Sequence, residues 1–317
     1  MSSTSSPFML EVSGLNKKFG DVHAVKNLNL QIRKGEIFGF LGPNGAGKTT
    51  TMKMVTCLIP PTSGTIKVEG YDTTTDSLFV RKRIGYLPEN NPLYHDMTVE
   101  EYLKFVAEIR GIKGDKQAAR IKELYSTCNL SKMAHRLVGN LSKGYRQRVG
   151  LAQAMMHDPD LLILDEPMSG LDPNQIIEIR NLIKKMGQQK TVIYCSHILS
   201  EVSATCDRIL IINEGQIVAS GTPEELTAKS SRGNRYIVRV KADRSDVEAE
   251  FRTIGGVSNV TITGVDGEWV TAEAVVTEKE EIGEKIFRSV VSKGWSLSEL
   301  KHEAASLEEV FTQLTKG

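Results

Sequence analysis

The sequence predicts an α/β protein built around a phosphate-binding loop, with a small α+β domain behind it. Three observations predict this. Ile37-Phe38-Gly39-Phe40-Leu41 is an apolar run leading into Gly42-Pro43-Asn44-Gly45-Ala46-Gly47-Lys48-Thr49, which satisfies G-x-x-x-x-G-K-[ST] between a strand and a helix. Leu161-Leu162-Ile163-Leu164 and Thr191-Val192-Ile193-Tyr194-Cys195 are further apolar runs of buried-strand type. Beyond about residue 235 the pattern reads strand, helix, strand, strand, helix, strand, the ferredoxin-like order.

The 317 residues suit one large domain and one smaller one, and 40% apolar with 25% charged residues fits an ordinary globular chain. Forty basic against 39 acidic side chains leave a formal charge of +1, so no bulk electrostatic case exists for nucleic acid or an anionic membrane. Cys57, Cys128, Cys195 and Cys206 are scattered, with neither a C-x-x-C pair nor a His at ligand spacing, and read as free thiols. Met1 to Pro7 is a Ser/Thr-rich tail without the basic and apolar regions of a signal peptide. No apolar run approaches the ~20 residues that span a bilayer.

Taken in order, Phe8–Val12 and Leu28–Ile32 alternate as half-buried strands, with Phe19 between them on an expected loop, where an aromatic can stack on a purine. The glycines of the phosphate loop allow consecutive N–H groups to face phosphate oxygens. Lys48 adds a charge for the β- and γ-phosphates, and the Thr49 hydroxyl can ligate Mg²⁺. The helix from Thr49 to Cys57 presents its positive end to the same place. Thr65–Val68 and Arg83–Leu87 are short strands, the second stopped by Pro88 and followed by a polar loop opening at Glu89. A helical insert, about residues 92–157, follows. Thr98 with Glu101 forms a capping box, with Tyr102, Phe105, Val106 and Ile109 on one face. A second helix spans about Asp115–Cys128, and Ser142 caps a third, where Gly144 permits close backbone approach. Most capped helix ends bind nothing, so this one gains meaning only from its neighbours.

The strand Leu161–Leu164 delivers Asp165 and Glu166 at its carboxyl end. Two acids directly after four bulky apolar residues need a cation or a reacting water. Asp165 is the expected Mg²⁺ holder and Glu166 the group that orients or deprotonates water. Ser169-Gly170-Leu171-Asp172 is a turn opening a helix over about Asn174–Met186. Ser196-His197 closes the next strand, where the imidazole can reach a γ-phosphate.

The order of five motifs over Phe8–Lys229 resembles the ATP-binding cassette ATPases of ABC transporters: loop 42–49, Leu141-Ser142-Lys143-Gly144, Leu161–Pro167, Ser169–Asp172 and His197. The resemblance implies a P-loop NTPase fold of the cassette type, with a mixed sheet core, an antiparallel β subdomain and the helical insert. It implies ATP and Mg²⁺ as cofactors and a Mg-dependent, transport-coupled ATPase. Phe19 becomes the adenine-stacking aromatic, and Gly42 to Thr49 with Thr50 the triphosphate cradle. Asp165, Thr49 and Glu89 become metal-site residues, and Glu166, His197, Lys48 and Glu89 the catalytic set. Ser142, Lys143, Gly144 and Asp172 complete the nucleotide site of a second subunit, which implies a dimer with ATP sandwiched between cassettes. Two departures stand out. Glu89 occupies the place where the family usually has Gln, and Leu-Ser-Lys-Gly-Tyr replaces Leu-Ser-Gly-Gly-Gln. Both resemble the subgroup serving ABC-2-type exporters, within which gliding-motility ATPases look most similar. Partners are then a second cassette and integral membrane permease subunits, with no nucleic acid, on the cytoplasmic face of the membrane. The alternative, a soluble cassette acting on ribosomes or nucleic acid, lacks the tandem cassettes, coiled coils or zinc modules of such proteins.

The expected domains are a tail at 1–7, a cassette at 8–229, a linker at 230–234 and an accessory domain at 235–317. In the last, Ser245 with Glu248 and Thr277 with Glu280 are expected to cap helices, the second bearing Ile282, Ile286, Phe287 and Val290. A final helix is capped by Ser306 and Glu309, with an apolar stripe expected to dock on the cassette.

Overall fold

The computed structural model describes residues 7–228, 234–276, 282–303 and 307–315. These divide into two compact units at Pro223/Glu224. The expected caps at Thr277, Glu280 and Ser306, most of the tail and residues 230–233 of the linker lie outside the described residues.

The first unit opens with the hairpin β1 (Phe8–Phe19) and β2 (Val22–Arg33), followed by β3 (Ile37–Leu41), α1 (Lys48–Val55), β4 (Ser63–Val68), β5 (Tyr71–Asp72), α2 (Ser77–Arg83) and β6 (Ile84–Leu87). The helical insert carries α3 (Val99–Ile109), α4 (Asp115–Thr127) and α5 (Lys143–Met155). The chain returns through β7 (Leu161–Asp165), α6 (Pro173–Gly187), β8 (Thr191–Ser196), α7 (Leu199–Ser203), β9 (Arg208–Asn213) and β10 (Gln216–Gly221), and α8 (Pro223–Ala228) crosses the division. Two sheets result. One is antiparallel, in the order β2-β1-β4-β5; the other is mixed, in the order β10-β9-β3-β8-β7-β6. Strand β3 runs parallel to both β8 and β9, and β7 parallel to β6 and β8; the β9–β10 hairpin is the antiparallel edge. Strands β3, β7 and β8 are buried at every position, which is why their sequences do not alternate. The main core joins inward residues of β1, β2 and β4 to Phe38, Phe40, Ile163, Ile193 and Leu210 of the mixed sheet.

Several expectations change. The first two strands run to 12 residues each because pairing continues through register shifts past Val12, and Phe19 therefore ends β1 rather than lying on a loop. The capping box of Thr98 and Glu101 is present. The buried stripe of α3, however, is Val99, Tyr102, Leu103, Val106 and Ala107, with Ile109 exposed in its last turn.

The second unit contains β11 (Asn234–Lys241), α9 (Arg244–Arg252), β12 (Val257–Asp266), β13 (Trp269–Val276), α10 (Gly283–Ser292), β14 (Ser296–Glu303) and α11 (Leu307–Thr315). Its sheet order, β12-β13-β11-β14, is antiparallel throughout and is the ferredoxin-like arrangement. Tyr236, Val238 and Val240 meet Val247, Phe251, Ile286 and Val290 in a separate core. Asp243, not Ser245, holds the N-cap position of α9, and Phe287 is half exposed where the periodicity placed it inside. Helix α11 belongs to this unit, its Glu309 accepting from Arg235 of β11 at 2.9 Å.

Candidate nucleotide site

The loop between β3 and α1 is shaped by close approaches that only glycine permits. Gly47, at the N-cap of α1, has φ +103°, and a Cβ there would sit 2.6 Å from the Ala24 carbonyl oxygen. At Gly42 a Cβ would meet the Ile212 carbonyl oxygen at 2.3 Å. Lys48 is buried, and its ammonium donates to the carbonyls of Gly42 (2.7 Å) and Pro43 (3.2 Å) while lying 3.7 Å from Glu166 Oε1. The lysine is thus folded back over its own loop and braced by a carboxylate.

Beneath the loop, the end of β7 places Asp165 so that its Oδ2 accepts from the Thr49 hydroxyl at 3.0 Å. The other oxygen, Oδ1, is buried without a hydrogen-bond partner. Burial pushes the Asp165 carboxyl up to about 6, reinforced by Glu166 and Glu89 and opposed by the Thr49 bond and Lys48. Glu166 follows with φ +49°, a left-handed conformation sparsely populated for Glu, anchored by its N–H donating to the Cys195 carbonyl at 3.0 Å. The residue is only 6% exposed; Oε1 lies 2.9 Å from His197 Nδ1 and Oε2 3.3 Å from the Ser196 hydroxyl.

A cavity of about 360 Å³ opens here, lined by Pro43, Asn44, Gly45, Gly47, Lys48, Thr49, Thr50, Glu89 and Glu166, with Ala24 at its rim. That volume falls within the range of small-molecule sites. The fold therefore gathers the loop, Glu89 and Glu166 around one space, with Asp165 and His197 one bond behind. Ala46 is turned inward, its carbonyl accepting from Gly215 N–H at 3.0 Å. Phe19 does not line the cavity; it is 50% exposed at the hairpin end, with Lys17 Nζ 5.0 Å from its ring centre.

Ser142, Lys143, Gly144 and Asp172 also lie away from this cavity. They form their own assembly. Ser142 caps α5, accepting from Tyr145 N–H, and Asp172 caps α6, accepting from Gln175 N–H at 2.9 Å. A Cβ on Gly144 would meet Gln175 Oε1 at 2.3 Å, and one on Gly170 would meet Lys143 Nζ at 2.4 Å. The α5 N-terminus and the turn before α6 are thus fitted to each other within one chain. Glu89 also lines a neighbouring cavity with Asn91, Lys143, Arg146 and Gln147.

Sequence reasoning missed Ala24 and the buried group behind Glu166, formed by Ser196, Glu201 and Tyr194. An acid four residues after His197, at a polar position of a short helix, carried no local signal that it would be buried.

The arrangement matches known proteins. The family model for ABC transporters covers residues 25–169. Over 307 residues the chain is 33% identical to the Nod factor export ATP-binding protein I of Burkholderia lata, covering 96% of each chain. The chain belongs to the ABC transporter ATP-binding family. It is 40% identical over 229 residues to the probable multidrug ABC transporter ATP-binding protein YbhF of Escherichia coli, a match covering 72% of this chain and 39% of that longer relative. Among solved structures, the dimeric ATP-binding cassette MJ0796, in a post-hydrolysis state bound to ADP and Pi, superposes with a TM-score of 0.62 at 27% identity. That match covers 68% of this chain and 98% of the other. The chain is thus an ABC cassette with an additional ferredoxin-like unit, and among the described residues no helix is long and apolar enough to cross a membrane.

Proposed function

We propose that this chain is the ATP-hydrolysing subunit of an exporter, binding ATP with Mg²⁺, pairing with a second cassette and driving separate membrane permease subunits from the cytoplasmic face. The observation that carries the reading is the Thr49–Asp165 pair with Asp165 Oδ1 left unpartnered beside the phosphate loop. A buried carboxylate oxygen without a partner fits a hard cation. Among the described residues no cluster of three or more His, Cys, Asp or Glu could hold a metal. That suits Mg²⁺, which is usually held by one or two protein oxygens together with substrate phosphates. Thr49 and Asp165 would hold the ion, with Glu89 lining the same cavity. Bound there, Mg²⁺ supplies neutralisation of charge developing on the phosphates.

The chain's own residues supply the rest. Lys48 leaves the Gly42 and Pro43 carbonyls to meet the triphosphate, releasing Glu166 Oε1 from its 3.7 Å ion pair. Glu166, fixed through its backbone to β8, takes the proton of the attacking water, and His197 orients that carboxylate through Nδ1. Ser142, Lys143, Gly144 and Asp172 close the second subunit's site, and Phe19 stacks on adenine from the hairpin end once nucleotide enters. The dimeric state of the MJ0796 cassette and the export and multidrug names of the two relatives support this reading. Within exporters the ABC-2 type is favoured by Glu89 and by Lys143-Gly144-Tyr145, and a gliding-motility system is its narrowest form.

The test is Glu166→Gln. The variant should bind Mg-ATP and accumulate as a dimer by light scattering, with turnover reduced by about 10²-fold or more. Turnover at the wild-type rate would remove Glu166 from the mechanism. Co-purification with a polytopic membrane protein tests the coupling; recovery with ribosomes or DNA instead would overturn it.

A further inference from the structure

Behind the cavity, three residues that no motif reading singled out form a closed hydrogen-bonded group. Ser196 and Tyr194 are fully buried on β8, and Glu201, 5% exposed on α7, reaches back to both. Tyr194 donates its hydroxyl to Glu201 Oε2 at 2.7 Å, and Ser196 Oγ lies 3.0 Å from the same oxygen and 3.3 Å from Glu166 Oε2. Ile198 N–H donates to Ser196 Oγ at 3.1 Å. Among the described residues Glu201 makes no ion pair, so these hydroxyls are what hold a carboxylate that is costly to bury.

The proton count makes this group more than a buried brace. A serine hydroxyl carries one proton, and here two carboxylates compete for it. The Ile198 bond occupies a lone pair and leaves that proton to swing between Glu201 Oε2 and Glu166 Oε2. Tyr194 is the element that permits the exchange. Because its hydroxyl already serves Glu201, the Ser196 proton can leave Glu201 without orphaning a buried charge. Glu166 Oε1 is held by His197 and Lys48, so Oε2 is the oxygen whose restraint Ser196 sets.

We infer that Ser196 is a positioning residue for Glu166, fixing the plane of its carboxylate, and that Tyr194 and Glu201 govern when its hydroxyl is free to do so. The inference rests on the ATPase reading above. No bond is made or broken by the group; one hydroxyl proton changes acceptor.

Steady-state and single-turnover ATPase assays on the full chain test it. Ser196→Ala should lower kcat about tenfold with KM for Mg-ATP and nucleotide affinity unchanged, a modest part of the effect of losing the base itself; the lost buried hydroxyl also lowers the melting temperature, so turnover of the nucleotide-bound chain is the deciding readout. Tyr194→Phe, which keeps the buried ring, should act in the same direction by confining the Ser196 proton to Glu201. In a Glu166→Gln background, Ser196→Ala should cause no further loss of residual turnover, because its target is already gone. A merely structural role would instead lower nucleotide affinity and depress turnover in both backgrounds alike. Wild-type turnover together with an unaffected Ser196→Ala variant would overturn this inference alone. A wild-type chain without turnover would overturn the reading beneath it.

Discussion

Replacing Asp165 by Asn tests the electrostatics of the site in the absence of nucleotide. Asp165 is 1% exposed and its carboxyl is pushed from the ordinary 3.8 up to about 6, chiefly by burial. The folded state therefore binds its proton more tightly than the unfolded chain does. Between about pH 4 and pH 6 this group makes stability fall as pH rises, and above pH 6 the full cost of the buried charge is present. The displacement is roughly two pH units, a ceiling of about 3 kcal/mol at 1.36 kcal/mol per unit. Asn removes the charge and still accepts from the Thr49 hydroxyl, but places an unpartnered N–H₂ where Oδ1 was, which returns about 1 kcal/mol. A net gain of about 1–2 kcal/mol at pH 8 raises the melting temperature of a unit this size by about 3–6 °C. The assay is thermal unfolding of both proteins with EDTA and no nucleotide, from pH 5 to pH 8. The gap should be widest at pH 8 and close toward pH 5. With saturating Mg-ATP the order should reverse, because the wild type gains about 2.7 kcal/mol at 100 times its Kd. If Asp165→Asn melts at or below wild type at pH 8 without ligand, the buried-charge argument is wrong.

Other substitutions probe separate parts of the chain. Gly47→Ala, which combines φ +103° with a Cβ 2.6 Å from the Ala24 carbonyl, should abolish ATP binding in calorimetry and cost at least about 2 kcal/mol in denaturant unfolding. Thr98→Ala removes a reciprocal capping box and should cost about 1 kcal/mol, seen as faster amide exchange in α3 while ATP affinity holds. Arg235→Gln leaves Glu273, Glu303 and Glu309, all within 3.6 Å of the guanidinium, without their shared cation. It should lower the stability of the second unit by about 1–2 kcal/mol, read as an earlier unfolding midpoint, and leave ATPase turnover unchanged.

The parts of the fold legible in the sequence are those whose cause is local. The loop from Gly42 to Thr49 is recognisable because each residue type has its own reason within eight positions. Thr98 and Glu101 are recognisable because a capping box closes within one turn. Periodicity placed α3 correctly but misjudged the edge of its buried stripe, since Ile109 and Leu103 satisfy the same spacing and only the neighbouring helices decide between them. Phe287 failed for the same reason on α10. Helix α2 escaped notice because it has seven residues and no side-chain cap. Within the site, Asp165 and Glu166 announced themselves by following an apolar strand. Glu201 did not, because its role comes from the bend between β8 and α7, which turns a helix-surface acid back onto its own strand.

The position of β3 sets a timetable for synthesis. The loop proposed to grip phosphate is made well before both neighbours of β3 in the sheet, β8 and β9, which begin only at Thr191 and Arg208. The loop's framework also comes from late segments: Gly42 N–H donates to Ser196 O at 3.3 Å, Gly215 N–H to Ala46 O at 3.0 Å and Lys26 N–H to Gly215 O at 2.8 Å. A nascent chain stalled at residue 200 would carry the complete phosphate-loop sequence but neither Gly215 nor the strand that flanks it. Nucleotide capture should therefore switch on abruptly during translation, once Gly215 clears the exit tunnel, and nascent chains arrested on either side of that point should differ in retention on immobilised ATP.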